Sequence, residues 1–271
     1  MGAGMDLELG GKTALVTGGS RGIGKAIARE LATCGCSVVL TARGVEALDL
    51  TAKELGQETG QKVTGVPCDL TSTEEVERMV AEAADALGGR IDILVNNAAA
   101  PGGLARGPLS SIKDEDVLND LNTKVMGYLR CARAVAPYMV RQNWGRIINI
   151  GGTSARRASG NLSAGVRNAG LVNFTKYLAE DLGPSGVTCN IVHPGTTRTE
   201  RSAPMYQEQA RQLGISVEEV EARVASGNST KRIVDARELA YVVAFLASPR
   251  SIAISGEVIS ASGGAGQAVF H

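Results

Sequence analysis

Short runs of apolar and β-branched residues alternate with helix-length amphipathic segments along the whole chain. The runs predict strands at Thr13–Thr17, Ser37–Thr41, Val63–Pro67, Ile91–Asn96, Arg146–Ile150, Thr188–His193 and Glu257–Ser260. Each is continuously apolar rather than alternating, the pattern of parallel strands covered on both faces. Between them lie helical stretches such as Gly22–Cys34, where Ile23, Ile27 and Leu31 fall four apart on one face, then Asp114–Arg141 and Leu162–Leu182. This order predicts an α/β fold: one doubly wound parallel β-sheet of seven strands with helices on both faces. Pro194–Asn228 is the longest stretch without a predicted strand. Its helical segments Gln207–Leu213 and Val217–Val224 predict a lid over one end of the sheet, at about 195–228.

Composition narrows the function classes. The 271 residues suit a single domain over 1–271, with 44% apolar residues to build its core. Lys+Arg and Asp+Glu balance at 28 each and aromatics are few, so neither nucleic acid nor a membrane surface is an expected partner. No apolar run reaches the ~20 residues of a bilayer span. The five cysteines are odd in number and fall on predicted strands and helix ends, as buried thiols of a reducing compartment do; cytoplasm is the expected location. With only two histidines, no metal site is expected.

The first strand runs into Thr17-Gly18-Gly19-Ser20-Arg21-Gly22-Ile23-Gly24 and then a helix. Glycines there let the backbone turn tightly and approach a pyrophosphate, while the helix N-terminus offers free N–H groups and the positive end of its dipole. The spacing Gly-x3-Gly-x-Gly resembles that of the short-chain dehydrogenase/reductase family, and more of the family's pattern follows in order. Asp69-Leu70 closes the third strand, Asn96-Asn97-Ala98-Ala99 ends the fourth, and Pro194-Gly195 with Thr197 and Thr199 follows the sixth. Phe245-Leu246-Ala247-Ser248, Ser255-Gly256-Glu257 and Gly263-Gly264 then match its C-terminal signature. The resemblance spans residues 9 to 266. It implies a Rossmann-type domain whose cofactor contacts include Gly18, Ser20, Arg21, Gly22, Ile23 and Gly24 in the loop. Asp69 and Leu70 would serve the adenine end, and Asn97, Ala98, Ala99, Pro194, Gly195, Thr197 and Thr199 the remainder.

Family members that use NAD carry an acid at the end of the second strand. Here that strand ends Leu40-Thr41-Ala42-Arg43, with Ala42 in the acid's place. Arg43 and Arg21 would supply two guanidinium groups to a 2′-phosphate, which an arginine fork fits and a carboxylate would repel. The cofactor expected is NADP(H).

The catalytic half departs from the family's Ser and Tyr-x-x-x-Lys arrangement. Aligned from Asn168-Ala169-Gly170-Leu171, the lysine position holds Asn168, the tyrosine position Ala164 and the serine position Gly152. The upstream asparagine position, counted back from Gly127, holds Lys124. Substitutes are Thr153 and Ser154, just beyond the serine position, and Lys124 as electrophile or, desolvated, as acid. Thr153 and Ser154 equally fit residues capping a turn, and Lys124 fits the solvent face of an amphipathic helix. Arg167 reads as a salt-bridge or interface group, Ser163 as a helix-start residue and His193 as structural. Gly165 and Gly170, each costing up to ~1 kcal/mol in a helix, suggest a packing or ligand reason.

Three readings stay open. One is an NADP(H)-dependent oxidoreductase with a rearranged site, acting on a small carbonyl, imine or similar activated substrate. The others are a catalytically silent NADP(H)-binding sensor or partner subunit, and a non-redox lyase in a pocket widened at Ala164 and Gly165. The resemblance also implies a homodimer or homotetramer through the helices Asp114–Arg141 and Leu162–Leu182, with Leu129, Ala132, Ala136, Val172 and Leu178 as apolar contacts.

Overall fold

The computed structural model describes residues 6–100, 103–158 and 161–266. Its main sheet has seven strands: β1 (Thr13–Thr17), β2 (Ser37–Ala42), β3 (Val63–Pro67), β4 (Ile93–Asn96), β5 (Gly145–Ile150), β6 (Val187–Pro194) and β7 (Val258–Ala261). All pair in parallel, in the spatial order β3-β2-β1-β4-β5-β6-β7. The continuous apolar runs have the predicted cause. In β1, Ala14 and Val16 enter one core layer and Leu15 the other; Val38, Leu40 and Val39 divide the same way in β2, as do Ile93, Val95 and Leu94 in β4.

The helices are α1 (Gly22–Thr33), α2 (Val45–Thr59), α3 (Thr73–Ala86), α4 (Asp114–Leu121), α5 (Gly127–Arg141), α6 (Leu162–Leu182), α7 (Ser202–Leu213), α8 (Val217–Ser226) and α9 (Ala236–Ala247). Helices α1, α2 and α9 pack on one face of the sheet, through Ile27, Leu31, Leu48, Leu55, Leu239 and Val243. On the other, α3, α5 and α6 contribute Val76, Met79, Val135, Met139, Leu178 and Leu182. The order of strand addition reverses at β1, which pairs in parallel with β2 on one side and β4 on the other. Ligand crevices of such sheets open at the carboxyl ends of the strands flanking this point.

The structure corrects the sequence reading in four places. The stretch expected as Asp114–Arg141 is interrupted by a π-helical turn, Asn122–Met126, between α4 and α5; such turns rephase the helix face after them and have no sequence signature. The expected strandless lid contains a two-residue strand, Thr197–Arg198, paired in parallel with Val234–Asp235, too short for any periodicity to register. Its helices α7 and α8 close over their own small core of Tyr206, Ala210, Val220 and Ile233. Ala132 and Leu178, expected at an oligomer face, are buried in the core at 1% and 7% exposure. Gly170 is exposed and a Cβ there would meet nothing within 4 Å, so this chain gives that glycine no packing reason. Of the cysteines, Cys34 is half-buried and the other four are buried, all as free thiols.

Candidate active site

The glycine loop is fixed from beneath by the end of β4. Asn97 Nδ2 donates to Thr17 O at 3.0 Å and to Gly18 O at 3.2 Å, while the Asn97 and Ala98 amides donate to Thr17 Oγ1. Gly18 has a φ of +64°, and a Cβ on it would lie 2.9 Å from Ala98 Cα; one on Gly24 would lie 2.2 Å from Gly18 O. Asn97, expected as a cofactor contact, thus spends its side chain holding the cradle. At the start of α1 the Gly22 amide donates to Glu200 Oε1 at 2.8 Å. An anionic oxygen of the chain itself therefore stands where the helix N-terminus would receive a phosphate. A cradle that side chains would fill and a carboxylate already seated in it fit a dinucleotide pyrophosphate.

Farther along the same edge, Arg43, Pro67, Cys68, Asp69, Glu75 and Arg78 line a cleft of about 230 Å³. Arg43 and Arg21 are exposed and form no ion pair among the described residues, leaving both guanidinium groups available. Asp69 sits just past β3, its amide held by Glu75 Oε2 at 2.9 Å and its carboxylate by Thr71. After β6, Gly195 packs so closely on Ser262 that a Cβ would come within 3.0 Å. Thr197 Oγ1 donates to Gly195 O at 3.2 Å, and Thr199 Oγ1 accepts from the Arg201 amide at 3.3 Å.

A second cleft, about 470 Å³, opens where β5 and β6 end. Gly151, Gly152, Thr153, Ser154, Ala164 and Asn168 line it, with Pro194 and Gly195 at one side and Arg106, Asn161 and Arg167 at another. The three positions read from sequence as replaced catalytic ones, Gly152, Ala164 and Asn168, thus meet in a single pocket. Beneath its floor lies Lys124. It is not on a solvent face: it lies within the π turn, in register with the buried Tyr128, Cys131 and Val135, and is 3% exposed. Its Nζ donates to Gly151 O at 3.1 Å and to Asn168 Oδ1 at 3.0 Å. Asn168 Nδ2 in turn donates to Ser154 Oγ at 2.8 Å, and Ser154 donates to Ala164 O at 3.0 Å. Lys124, Asn168 and Ser154 form one hydrogen-bonded chain from the interior to the cleft surface. Thr153 lines the cleft but stands outside that chain.

Gly152 has a steric reason. A Cβ on it would lie 2.7 Å from Asn168 Nδ2, so the missing side chain makes the room that the amide occupies. Burial holds the Lys124 ammonium well below its ordinary pKa; the nearby Arg167 charge pushes the same way, while Asp120 pulls back. His193 accepts from the Gly152 amide at Nδ1, 3.0 Å, which places its proton on Nε2. Burial, with Arg156 and Lys124 adding to it, lowers its pKa to about 4, so the ring is neutral near pH 7.

Sequence reasoning missed Asp120 and Glu200 as individual participants, and reached Arg106 only as part of the loop Pro101–Leu109, expected to meet substrate. Asp120, fully buried, is the ion-pair partner of Arg167, and nothing in the chain links two residues so far apart. Arg106 reaches the pocket through an isolated bridge with Asn161. Glu200 was passed over as part of the lid. Ser163, read as a helix-start residue, is buried; its hydroxyl accepts from Ala105 N and donates to Asn161 Oδ1. Pro101 and Gly102 in the loop Pro101–Leu109, and Ser159 and Gly160 in the loop Arg156–Asn161 that was likewise expected to meet substrate, lie outside the described residues.

Fold and glycine cradle together define a dinucleotide-binding α/β domain, and comparison with known proteins gives its family. Residues 18–266 match the family model described as enoyl-(acyl carrier protein) reductase. The chain is 37% identical over 262 residues to the 3-oxoacyl-(acyl-carrier-protein) reductase of Vibrio cholerae, covering 95% of this chain and 98% of the relative. It is 31% identical to the NADPH-dependent reductase BacG of Bacillus subtilis, over 93% of this chain and 97% of that one. The L-sorbose reductase of Gluconobacter frateurii, solved with NADPH and L-sorbose, superposes with a TM-score of 0.90 at 30% identity, covering 96% and 98% of the two chains. The chain belongs to the short-chain dehydrogenase/reductase family, as the order of its motifs implied.

Proposed function

We propose that this chain is an NADP(H)-dependent reductase of a small carbonyl, imine or similarly activated substrate, working through the Lys124–Asn168–Ser154 chain. That chain is the observation that carries the reading. It brings the Ser154 hydroxyl to the cleft that Pro194 and Gly195 also line, with Lys124 behind it. Bound NADPH would be held by the Gly18–Gly24 loop, with Arg43 and Arg21 on its 2′-phosphate, and would supply a hydride. The sorbose reductase solved with NADPH and the NADPH-dependent reductase BacG support that choice.

The residues of the chain divide the remaining work. Ser154 accepts from Asn168, which fixes its oxygen and leaves its own hydrogen free to turn from Ala164 O toward a substrate oxygen. Asn168 passes no proton; it orients Ser154 and takes a charge-assisted hydrogen bond from Lys124. Lys124, its pKa lowered by burial, supports through Asn168 the negative charge that develops on the substrate oxygen, and the proton this oxygen takes up comes from solvent in the cleft. Ala164 leaves open the space a larger side chain would fill. The exposed apolar residues Leu118, Met126, Val166 and Tyr177 on and between α4, α5 and α6 support assembly as a homodimer or homotetramer through those helices.

The silent-binder reading has its own observation: the Ser154 hydrogen is directed at Ala164 O rather than into the cleft. One experiment separates the two. NADPH absorbance is followed with aldehydes, diketones, quinones and imines, for the wild type and for Ser154→Ala. Oxidation that falls at least about a hundredfold in the variant supports the reductase; tight NADPH binding with no oxidation of any substrate supports the silent binder. Arg43→Ala is expected to weaken NADPH about tenfold or more and leave NADH unchanged; an unchanged preference refutes the NADP(H) assignment.

A further inference from the structure

The cleft of about 470 Å³ has an uneven charge. Among its lining residues two are arginines, Arg106 and Arg167, and none is an aspartate or glutamate. A third basic group, Lys124, hydrogen-bonds to Gly151 O and Asn168 Oδ1. Asp120, the acid paired with Arg167, is fully buried and is also held by the Leu104 amide. Among the described residues this wall is therefore basic, with the Asp120 counter-charge turned inward.

Both arginines keep donors in reserve. Arg167 is 4% exposed; its terminal nitrogens bind Asp120 and Ala100 O, but its Nε–H is buried without a partner among the described residues. A buried donor left unpaired is costly, and such donors are ordinarily met by water or ligand. Arg106 uses only Nε, on Gly103 O at 3.4 Å, and its two terminal nitrogens make no hydrogen bond among the described residues. A planar fork with both prongs open is the geometry that takes a carboxylate two-handed.

We infer that the substrate of this pocket is an organic carboxylate, an oxo acid or its unsaturated or imine counterpart, held by Arg106 with Arg167 alongside. The inference rests on the reductase reading for the cleft being the substrate pocket, and it adds the charge of what enters. The carboxylate lies on the arginine side, which sets the reducible carbon toward Ser154 and the Pro194-Gly195 loop.

The test uses 4-oxocyclohexanecarboxylate and its methyl ester, titrated calorimetrically into the protein with and without saturating NADPH. The acid is expected to bind at least about tenfold tighter than the ester, as one charge-assisted fork allows. Arg106→Gln, on an exposed loop position, should bring the acid down to the ester's level and leave the ester unmoved. Equal binding of acid and ester, or an acid preference that survives Arg106→Gln, overturns the inference. The reductase reading fails separately: absent NADPH binding or absent NADPH oxidation would refute it, while the acid–ester comparison on the free protein still decides the charge of the ligand.

Discussion

Replacing Lys124 with methionine isolates what its burial does. The wild-type ammonium is 3% exposed, and its pKa is held below the ordinary 10.5 first by desolvation and then by Arg167. Below the folded-state pKa both folded and unfolded chains carry the proton, and the folded state bears the whole burial penalty. Between that pKa and 10.5 the unfolded chain holds the extra proton, so wild-type stability rises with pH, by at most about 1.4 kcal/mol per unit. Above 10.5 the gain levels off. Lys124→Met removes this dependence. It also leaves Gly151 O and Asn168 Oδ1 without their donor, at about 1–3 kcal/mol each, an offset that does not vary with pH. Urea denaturation of both proteins from pH 7 to 10 reads the difference. The expected result is a wild-type advantage that grows steadily toward alkaline pH. Stability curves that run parallel across the range would refute the depressed pKa.

Two further outcomes follow from exposed positions. Gly170→Ala, in the interior of α6 with open space around it, should raise stability by up to about 1 kcal/mol, or roughly 2–4 °C in Tm; a loss measured by calorimetry would mean that another molecule packs on that face. Glu200→Gln removes a negative charge from the Gly22 amide and should tighten NADPH about two- to fivefold by fluorescence titration; weaker binding would show that Glu200 assists the cofactor rather than standing in its place.

The fold was readable because strands covered on both faces must be apolar throughout, and because a tight turn between strand and helix demands Gly18 and Gly24. Each of the seven strands of the main sheet lies within a residue or two of its expected position. The cleft was readable only as a set of replaced positions. Lys124 read as exposed because a lysine usually is, yet it stands four, seven and eleven residues before Tyr128, Cys131 and Val135 on the buried face of α5, a spacing the sequence carried. Asn168 was visible only as the residue standing at a lysine position, since its partners Lys124 and Ser154 come from two other segments. Arg167 was correctly placed as a salt-bridge residue, but its partner Asp120 lies on α4, and no local periodicity connects them.

Gly152, Asn168, Lys124 and Ser154 fit as a set: the missing Cβ of the first admits the amide of the second, which alone joins the other two. Single substitutions at these positions will therefore look alike. A serine at 152 evicts the amide, an alanine at 168 strands both neighbours, and a methionine at 124 leaves the amide oxygen unpaired. A scan of one residue at a time would score all four as indispensable and identify none as the group that meets substrate. Only double-mutant cycles, in which non-additivity exposes who acts through whom, can apportion the chemistry. The same interlock constrains change over generations: this pocket can acquire a different donor only by moving several residues in concert, so its present arrangement is protected by geometry as much as by use.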